Sequence, residues 1–303
     1  MIRGAKPYNE AMPELPEVET IARGVNKRVR GDRIVEAWFS NRPQTFKTPP
    51  ATQARELAGR AILEVHRTGK HIVCELGPAE TTGARGENPN RTRTLSTEEP
   101  GAQWIVHLGM TGRLIVCAPD TPVAPHTHAR LELVSGRELR FVDPRRFGRL
   151  EFRDLRSGGS AFRAPGADPL ALGAPEFAAL FRNRRMPIKA ALLNQTLLAG
   201  VGNIYADESL FQAGIAPRRR TNRLKPAEFE RLRLALRQIL ERAIHLGGSS
   251  VSDYVDADGE RGFFQLEHCV YRRTGEPCRT CHRPIRRIEL AGRGTHYCPK
   301  CQR

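Results

Sequence analysis

The chain has 303 residues, 39% of them hydrophobic, which is enough to bury a core in one large domain or two ordinary ones. Lys and Arg number 49 against 33 Asp and Glu, so the formal net charge is +16. Such a surplus favours a polyanionic partner, because Lys and Arg contacts to phosphate release counterions. An acidic membrane surface and a merely solubilising surface are the alternatives.

No apolar run reaches the roughly 18 residues of a membrane span, and residues 1–11 lack the apolar segment of a signal peptide. We therefore expect a cytoplasmic protein with no membrane partner.

Short segments in which apolar and polar residues alternate occupy the chain from about residue 33 to 153. Alternation with a period of two predicts half-buried strands, and many short strands with tight turns predict a sandwich or barrel. A helix over Val18–Val29 is predicted before them. The predicted strands are Arg33–Phe39, Ile62–His66, His71–Leu76, Gln103–Leu108, Arg113–Cys117, Ala129–Val134 and Glu138–Val142.

Two segments lack any apolar period. Residues 77–101 are rich in Gly, Pro, Thr and Asn, which predicts an exposed loop. Residues 156–175 carry many Gly, Ala and Pro residues, which predicts a linker between domains.

Beyond the linker the apolar period becomes helical. Helices are predicted over Ile188–Leu198 and Ile204–Ala213, separated by the Gly200-Val201-Gly202 turn, and over Pro226–His245. Pro226 is favourable near a helix N-terminus.

Four cysteines near the C-terminus form two Cys-x2-Cys pairs separated by sixteen residues. Four thiolates at this spacing close a tetrahedron around one structural Zn²⁺, with a redox pair as the alternative. The intervening segment is basic and strand-like, which predicts a β-hairpin that offers Arg to phosphate. The zinc ligands are predicted to be Cys278, Cys281, Cys298 and Cys301; the other three cysteines, Cys74, Cys117 and Cys269, are expected to be packing residues.

Five motifs in order along the chain resemble bacterial formamidopyrimidine-DNA glycosylases. They are MPELPEVET at 12–20, HLGMTGR at 107–113, DPRRFG at 143–148, GVGNIYADESLF at 200–211 and the cysteine pairs at 278–301. The resemblance implies a DNA-repair enzyme that removes oxidised purines from damaged double-stranded DNA and cleaves the resulting abasic site. It also implies monomeric action in the bacterial cytoplasm, at the nucleoid.

The resemblance implies an α+β multidomain architecture. Residues 12–155 would form an N-terminal catalytic β-sandwich with flanking helices, and 156–175 the linker. Residues 176–265 would form a helix–two-turns–helix domain with a lesion-recognition loop, and 266–303 the C-terminal four-cysteine zinc finger. Residues 1–11 lie outside the family pattern.

The resemblance assigns catalytic roles at the N-terminus. Pro13 would be the nucleophile, because a secondary amine condenses with the sugar C1′ to an iminium that needs no proton to carry charge. Glu14 would act as the general acid and base, and Glu17 would help to hold the active site. Lys70, in a turn, would reach the lesion or its phosphate.

DNA contacts follow from the same resemblance. Met110, Arg145 and Phe147 would fill the void that a flipped base leaves, because unstacking costs a few kcal/mol. His107 and Arg146, in the same motifs, are expected at the DNA. The expected phosphate contacts are Lys189, Asn203 and Arg293, and residues 252–264, with Tyr271-Arg272-Arg273, resemble a lid over the flipped base.

Two features depart from the family pattern. With residues 1–11 attached, Pro13 is an internal amide without a nucleophilic amine. We therefore expect translation to start at Met12, or the tail to be removed; a binding-only relative is the remaining choice. The segment 77–101 is also longer than usual.

Three other functions remain as alternatives. An endonuclease VIII-type enzyme would prefer oxidised pyrimidines, whereas Leu15, the DPRRFG motif and the 252–264 segment favour the purine branch. A non-catalytic DNA-binding protein would bind the duplex without a covalent intermediate. A plain zinc-finger regulator would need neither Pro13 nor Glu14.

Overall fold

The computed structural model describes residues 12–42, 45–79, 99–250, 255–257 and 259–303. These residues form two compact units. The sandwich unit comprises residues 17–163 and 255–261, and the helical unit comprises residues 12–16, 164–254 and 262–303. Among the described helices, none is long and apolar enough to cross a membrane.

Two four-stranded antiparallel sheets build the sandwich unit, which confirms the predicted β-sandwich. The strands are β1 Ile34–Phe39, β2 Arg60–Thr68, β3 His71–Ala79, β4 Ala102–His107, β5 Arg113–Cys117, β6 Thr127–Leu133, β7 Glu138–Val142 and β8 Arg149–Asp154. The strand orders of the two sheets are β1–β6–β7–β5 and β2–β3–β4–β8. Helices α1 (Leu15–Val29) and α2 (Pro50–Leu57) flank the sheets.

The central strands carry the core of the sandwich. All five residues of β7 are buried, including the Arg140–Glu138 ion pair, whose Nε and Oε2 atoms lie 2.6 Å apart. On β4, the fully buried Trp104 donates its indole N–H to Gln53 of α2 at 3.1 Å. These buried polar groups are thus paired, as the cost of desolvating them requires.

The helical unit contains α3 (Ala174–Phe181), α4 (Ile188–Leu193), α5 (Asn203–Gln212) and α6 (Pro226–His245). The apolar face of α6 packs into one core with α3 and α5. A two-stranded hairpin of β9 (Arg286–Leu290) and β10 (Arg293–Tyr297) follows.

Several predicted bounds were wrong for identifiable reasons. Helix α1 begins at Leu15, because Pro16 is tolerated in a first helical turn. Helix α4 ends at Leu193 and not at Leu198, since the Asn194 side chain accepts the Thr196 N–H in a turn. The predicted loop 77–101 starts later, because β3 continues to Ala79; residues 80–98 lie outside the described chain.

Two α-helices and one β-strand of the described residues were not predicted. Helix α2 is eight residues long and buries only Gln53 and Leu57, so its apolar period is too short to detect. Helix α3 starts inside the Gly- and Pro-rich segment that predicted a linker. In β8, the inward residues Leu150 and Phe152 alternate with charged residues, which is a half-buried strand pattern that the sequence analysis overlooked.

Two histidines face each other across β3 and β4. The rings of His71 and His107 lie 4.7 Å apart, and His71 also contacts the ring of Phe162 at 4.6 Å. Burial lowers the pKa of His71 to about 4 and that of His107 to about 3. On neighbouring β2, a hydrogen bond to Glu75 instead raises the pKa of His66.

Acid is therefore expected to destabilise the sandwich unit through the buried pair. A folded-state pKa below the unfolded value of about 6.5 gives stability that is present above pH 6.5 and is lost as the pH falls towards 4. Between pH 7.5 and 5, His71 accounts for a loss of about 2 kcal/mol in the free energy of unfolding. Urea titrations at the two pH values should show a smaller loss for His71→Phe than for the wild type.

The matched control is His66→Gln, which removes a histidine whose pKa is raised and not lowered. This control should lose at least as much stability on acidification as the wild type. If His71→Phe and the wild type lost equal amounts of stability between pH 7.5 and 5, the contribution assigned to His71 would be contradicted.

Candidate active site

The structure divides the predicted site residues between the two units. Pro13 and Glu14 lie in the helical unit, together with Lys189, Asn203, Arg293 and the four cysteines. The remaining candidates lie in the sandwich unit: Glu17, Lys70, His107, Met110, Arg145, Arg146 and Phe147.

The Glu14 carboxylate caps the N-terminus of α5. Its Oε1 accepts the N–H of Ile204 at 3.1 Å, and its Oε2 lies 3.5 Å from the N–H of Tyr205. The side chain is 3% exposed. First-turn amides and the helix dipole both favour negative charge at this position, so the main chain of α5 holds the carboxylate in place.

This arrangement requires a glycine at position 202. A Cβ atom on Gly202 would lie 2.2 Å from Cδ of Glu14, well inside any allowed contact. The chain before α1 is fixed to the same turn, because the N–H of Leu15 donates to the carbonyl of Gly200 at 3.0 Å. Pro13, adjacent to both anchors, is buried.

A buried polar network links α5 to the β9–β10 hairpin. The Asn203 Nδ2 and the Lys189 Nζ both donate to the carbonyl oxygen of Gly294, each at 3.0 Å. Lys189 also pairs with Asp207 at 2.6 Å. The sequence analysis predicted a phosphate contact for Lys189; in the structure its side chain is 0% exposed and its ammonium group contacts the protein oxygens of Asp207 and Gly294.

A second buried carboxylate holds the segment that follows the predicted lid. Glu208 accepts backbone N–H groups from Cys269, Val270 and Tyr271 at 2.7–2.9 Å. Burial raises the pKa of Glu208, although the three N–H groups act in the opposite direction. The Tyr271 side chain is consequently held close to Asn203, and burial raises its pKa.

In the sandwich unit, Asp143 ties together the two motifs that were predicted to enter the DNA. Its Oδ1 accepts the Thr111 hydroxyl at 2.5 Å, and its Oδ2 accepts the Gly148 N–H at 2.7 Å. A Cβ atom on Gly109 would lie 2.5 Å from the Gly148 nitrogen, so the two loops touch through their backbones. Sequence reasoning missed Asp143, although it lies inside the DPRRFG motif.

The loops that Asp143 joins present the predicted wedge residues. Arg145, Arg146 and Phe147 are exposed, and the Arg145 guanidinium lies 4.9 Å from the centre of the Phe147 ring. Met110 is half-buried in the adjacent loop. An exposed phenylalanine under an arginine is suited to insertion between bases.

The other sandwich candidates lie at the β2–β3 turn, at the end of β4 and in α1. Lys70 occupies the two-residue turn between β2 and β3, where Gly69 has φ +64°. His107 accepts the Gly109 N–H on Nδ1 at 3.1 Å, so its neutral ring carries a proton on Nε2 and is a donor. Glu17 is buried in the first turn of α1.

The segment predicted as a lid is described only in part, since residues 251–254 and 258 lie outside the described chain. Ala257 is 1% exposed and packs on α1, where a Cβ on Gly24 would lie 3.0 Å from the Ala257 Cβ. Ala257 also accepts the Val116 N–H at 3.4 Å.

The four cysteine sulfur atoms form a zinc site. They all lie within 4.8 Å of one another, and the Cys278–Cys301 and Cys281–Cys298 Sγ pairs are 3.9 and 3.4 Å apart. Tetrahedral zinc–thiolate bonds of about 2.3 Å require separations of about 3.8 Å, so the residues fit the ion. With four protein ligands and no open position, the zinc is structural.

Comparisons with known proteins match nearly the whole described chain to the domains of one enzyme family. Residues 12–150 match the formamidopyrimidine-DNA glycosylase N-terminal domain, 165–255 the H2TH domain of the same enzymes, and 275–303 the zinc finger found in FPG and IleRS. The chain belongs to the formamidopyrimidine-DNA glycosylase family. It is therefore a DNA glycosylase with abasic-site lyase activity, an enzyme of base excision repair.

Individual relatives cover nearly all of the chain. The formamidopyrimidine-DNA glycosylase of Solibacter usitatus is 42% identical over 292 residues, which are 96% of this chain and 100% of the relative. A mutant FPG of Lactococcus lactis in complex with Fapy-dG-containing DNA has a TM-score of 0.80 at 32% identity. The wild-type Lactococcus lactis FPG in complex with DNA containing an oxidised pyrimidine has a TM-score of 0.78 at 33% identity. Both alignments cover 96% of this chain and 100% of the other.

The substitution Gly202→Ala tests the capping of α5 by Glu14. The added methyl group should displace the carboxylate, lower stability by about 1–3 kcal/mol and reduce abasic-site cleavage by about 10²-fold. Thermal melting and a single-turnover cleavage assay measure the two effects. In a Glu14→Ala background the methyl group has room, so adding Gly202→Ala there should leave the melting temperature unchanged. A further drop in that background would mean that the clash lies elsewhere.

Proposed function

We propose that this glycosylase excises oxidised purines, such as 8-oxoguanine and formamidopyrimidines, from damaged duplex DNA through Pro13. The position of Glu14, next to Pro13 in the chain and held by α5, carries the proposal. Both residues lie within the segment that the family model matches from residue 12.

The proposed nucleophile is the secondary amine of Pro13 as an N-terminal residue. Its nitrogen attacks the sugar C1′ while the bond to the damaged base breaks, and the base leaves with a proton. The ring-opened sugar is then an iminium of Pro13, which withdraws electrons from C2′ and favours loss of the 3′ and then the 5′ phosphate. An α-amine titrates near neutrality, so a useful fraction is unprotonated at pH 7.

Glu14 is the proposed proton donor and acceptor. The amide cap orients its carboxylate, and Glu14 directly follows Pro13 in the chain. It would protonate the sugar ring oxygen during opening and later remove a proton for elimination. We propose that Glu17 and Lys70 support the same site, Glu17 as a buried carboxylate and Lys70 at the β2–β3 turn.

Base flipping would rest on the loops joined by Asp143. Phe147 and Met110 would enter the emptied stack, and Arg145 would hydrogen-bond the partner base, which favours cytosine opposite the lesion. His107 and Arg146 lie in the same two motifs as these residues and would contact the DNA backbone. Asn203 and Arg293 in the helical unit would bind phosphates flanking the lesion.

The complex of the Lactococcus lactis enzyme with an oxidised pyrimidine favours a second substrate class. We propose oxidised pyrimidines as weaker substrates of the same site. Competition between duplexes containing each lesion ranks the two classes.

The presence of residues 1–11 determines whether Pro13 has the free amine that the proposed chemistry requires. An amide nitrogen at Pro13 has no free electron pair for attack, so we propose that the functional form begins at Pro13, after loss of Met12. The family model supports this form, because its match to the chain begins at Met12. We further propose that the enzyme acts as a monomer in the bacterial cytoplasm.

The test compares proteins expressed from Met12 and from Met1 on a duplex with 8-oxoguanine opposite cytosine, in the presence of borohydride. The Met12 form should give a covalent complex and cleaved strands, whereas the Met1 form with an intact N-terminal mass should give neither. Glu14→Gln in the Met12 form should bind the duplex but lose base release by at least about 10²-fold.

Two outcomes would count against the proposal. Trapping by an intact Met1 form would require another nucleophile. Tight binding without trapping by either form would leave a damage-binding protein in place of the enzyme mechanism.

A further inference from the structure

We propose that Asp207, acting with Lys189, is a positioning residue. It holds the β9–β10 hairpin in the position in which Arg293 and Asn203 contact the same stretch of DNA phosphates. The inference rests on the proposed DNA contacts of Arg293 and Asn203. It assigns to a buried ion pair a role in DNA binding without any contact to DNA.

The pair lies wholly inside the helical unit. Lys189, on α4, and Asp207, on α5, both have 0% exposed side chains, and their Nζ and Oδ1 atoms are 2.6 Å apart. Burial lowers the pKa of Lys189, and Asp207 acts in the opposite direction. A buried ammonium without this carboxylate would be strongly unfavourable.

Asp207 also binds the hairpin directly. Its Oδ2 accepts the backbone N–H of His296 at 2.8 Å and lies 3.1 Å from the imidazole Nδ1. The carboxylate thus joins α4, α5 and β10 through separate oxygen atoms. A neutral amide at this position would replace one acceptor with a donor and could not satisfy both partners.

The same pair fixes the carbonyl of Gly294. Lys189 and Asn203 both donate to that oxygen, and Gly294 directly follows Arg293 at the start of β10. A Cβ on Gly294 would lie 2.9 Å from a guanidinium nitrogen of Arg287, so a side chain there would have to displace that guanidinium. The backbone that carries Arg293 is therefore held one residue away by Lys189 and three residues away, at His296, by Asp207.

Energetics favours a positioning role over a stabilising one. A buried ion pair loses so much hydration that well-packed apolar residues of similar volume stabilise a fold equally well or better. In some proteins such a pair instead fixes the register between the elements that it joins. The zinc site holds the base of the finger at Cys281 and Cys298, whereas the Asp207 network holds the strand that carries Arg293.

A double-mutant cycle between Asp207 and Arg293 tests the coupling in full-length protein that begins at Met12. The variants are Asp207→Asn, Arg293→Ala and both together, with affinity for an abasic-site analogue duplex measured from 50 to 300 mM salt. Each single variant should bind about tenfold more weakly and reduce the salt slope by about one. The double variant should bind no more than about twofold more weakly than Arg293→Ala, because Asp207 acts through Arg293.

The matched control is Glu208→Gln, which alters the neighbouring buried carboxylate on α5. Glu208 binds the 269–271 segment and not the hairpin. The losses of DNA affinity caused by Glu208→Gln and Arg293→Ala should therefore multiply, so that their free energies of binding add. Zinc content should stay at one equivalent in every variant.

Because Asp207→Asn leaves Lys189 unpaired, a second variant replaces both residues with apolar ones, Lys189→Met with Asp207→Leu. This variant should melt near the wild-type temperature and still bind DNA weakly.

The outcomes separate the inference from the proposed function. Free energies that add between Asp207→Asn and Arg293→Ala, or wild-type affinity in the apolar pair variant, would overturn the positioning role. No effect of Arg293→Ala alone would instead overturn the proposed phosphate contact of Arg293.

Discussion

The arrangement of the proposed active site depends on one contact, the Glu14 carboxylate on the first-turn amides of α5. It fixes an acid in a buried position through main-chain donors, and it requires a glycine at 202 so that the carboxylate can approach the backbone. The anchor from Leu15 to Gly200 holds the chain beside it. The proposed nucleophile, Pro13, is thus placed by the helix that also carries Asn203 and Asp207.

Buried carboxylates organise the rest of the binding apparatus by the same principle. Asp143 joins the two loops that present the proposed wedge residues, Glu208 holds the 269–271 segment, and Asp207 joins α4 and α5 to the finger. Each accepts backbone N–H groups, so each fixes main chain and not only a side chain. A loop fixed in this way loses little conformational freedom when DNA binds, which favours affinity.

Sequence reasoning recovered the sandwich strands, the zinc ligands and the family, because alternation, cysteine spacing and ordered motifs are local signals. It missed α2, which has few inward residues, and it overlooked the alternation of apolar and charged residues in β8. It also missed Asp143 and Asp207 and the burial of Lys189, since an acid or a lysine in a motif does not reveal its burial. Only the packing of α4 against α5 shows that the Lys189 side chain is buried among protein oxygens.

The central claim is that Pro13, as the first residue beside a capped Glu14, forms the covalent bond to the sugar. The most direct measurement is peptide mass spectrometry of the borohydride-trapped complex made with protein expressed from Met12. The account predicts that the sugar adduct lies on the peptide that begins at Pro13, on its nitrogen. An adduct on a lysine, such as Lys70, would contradict it.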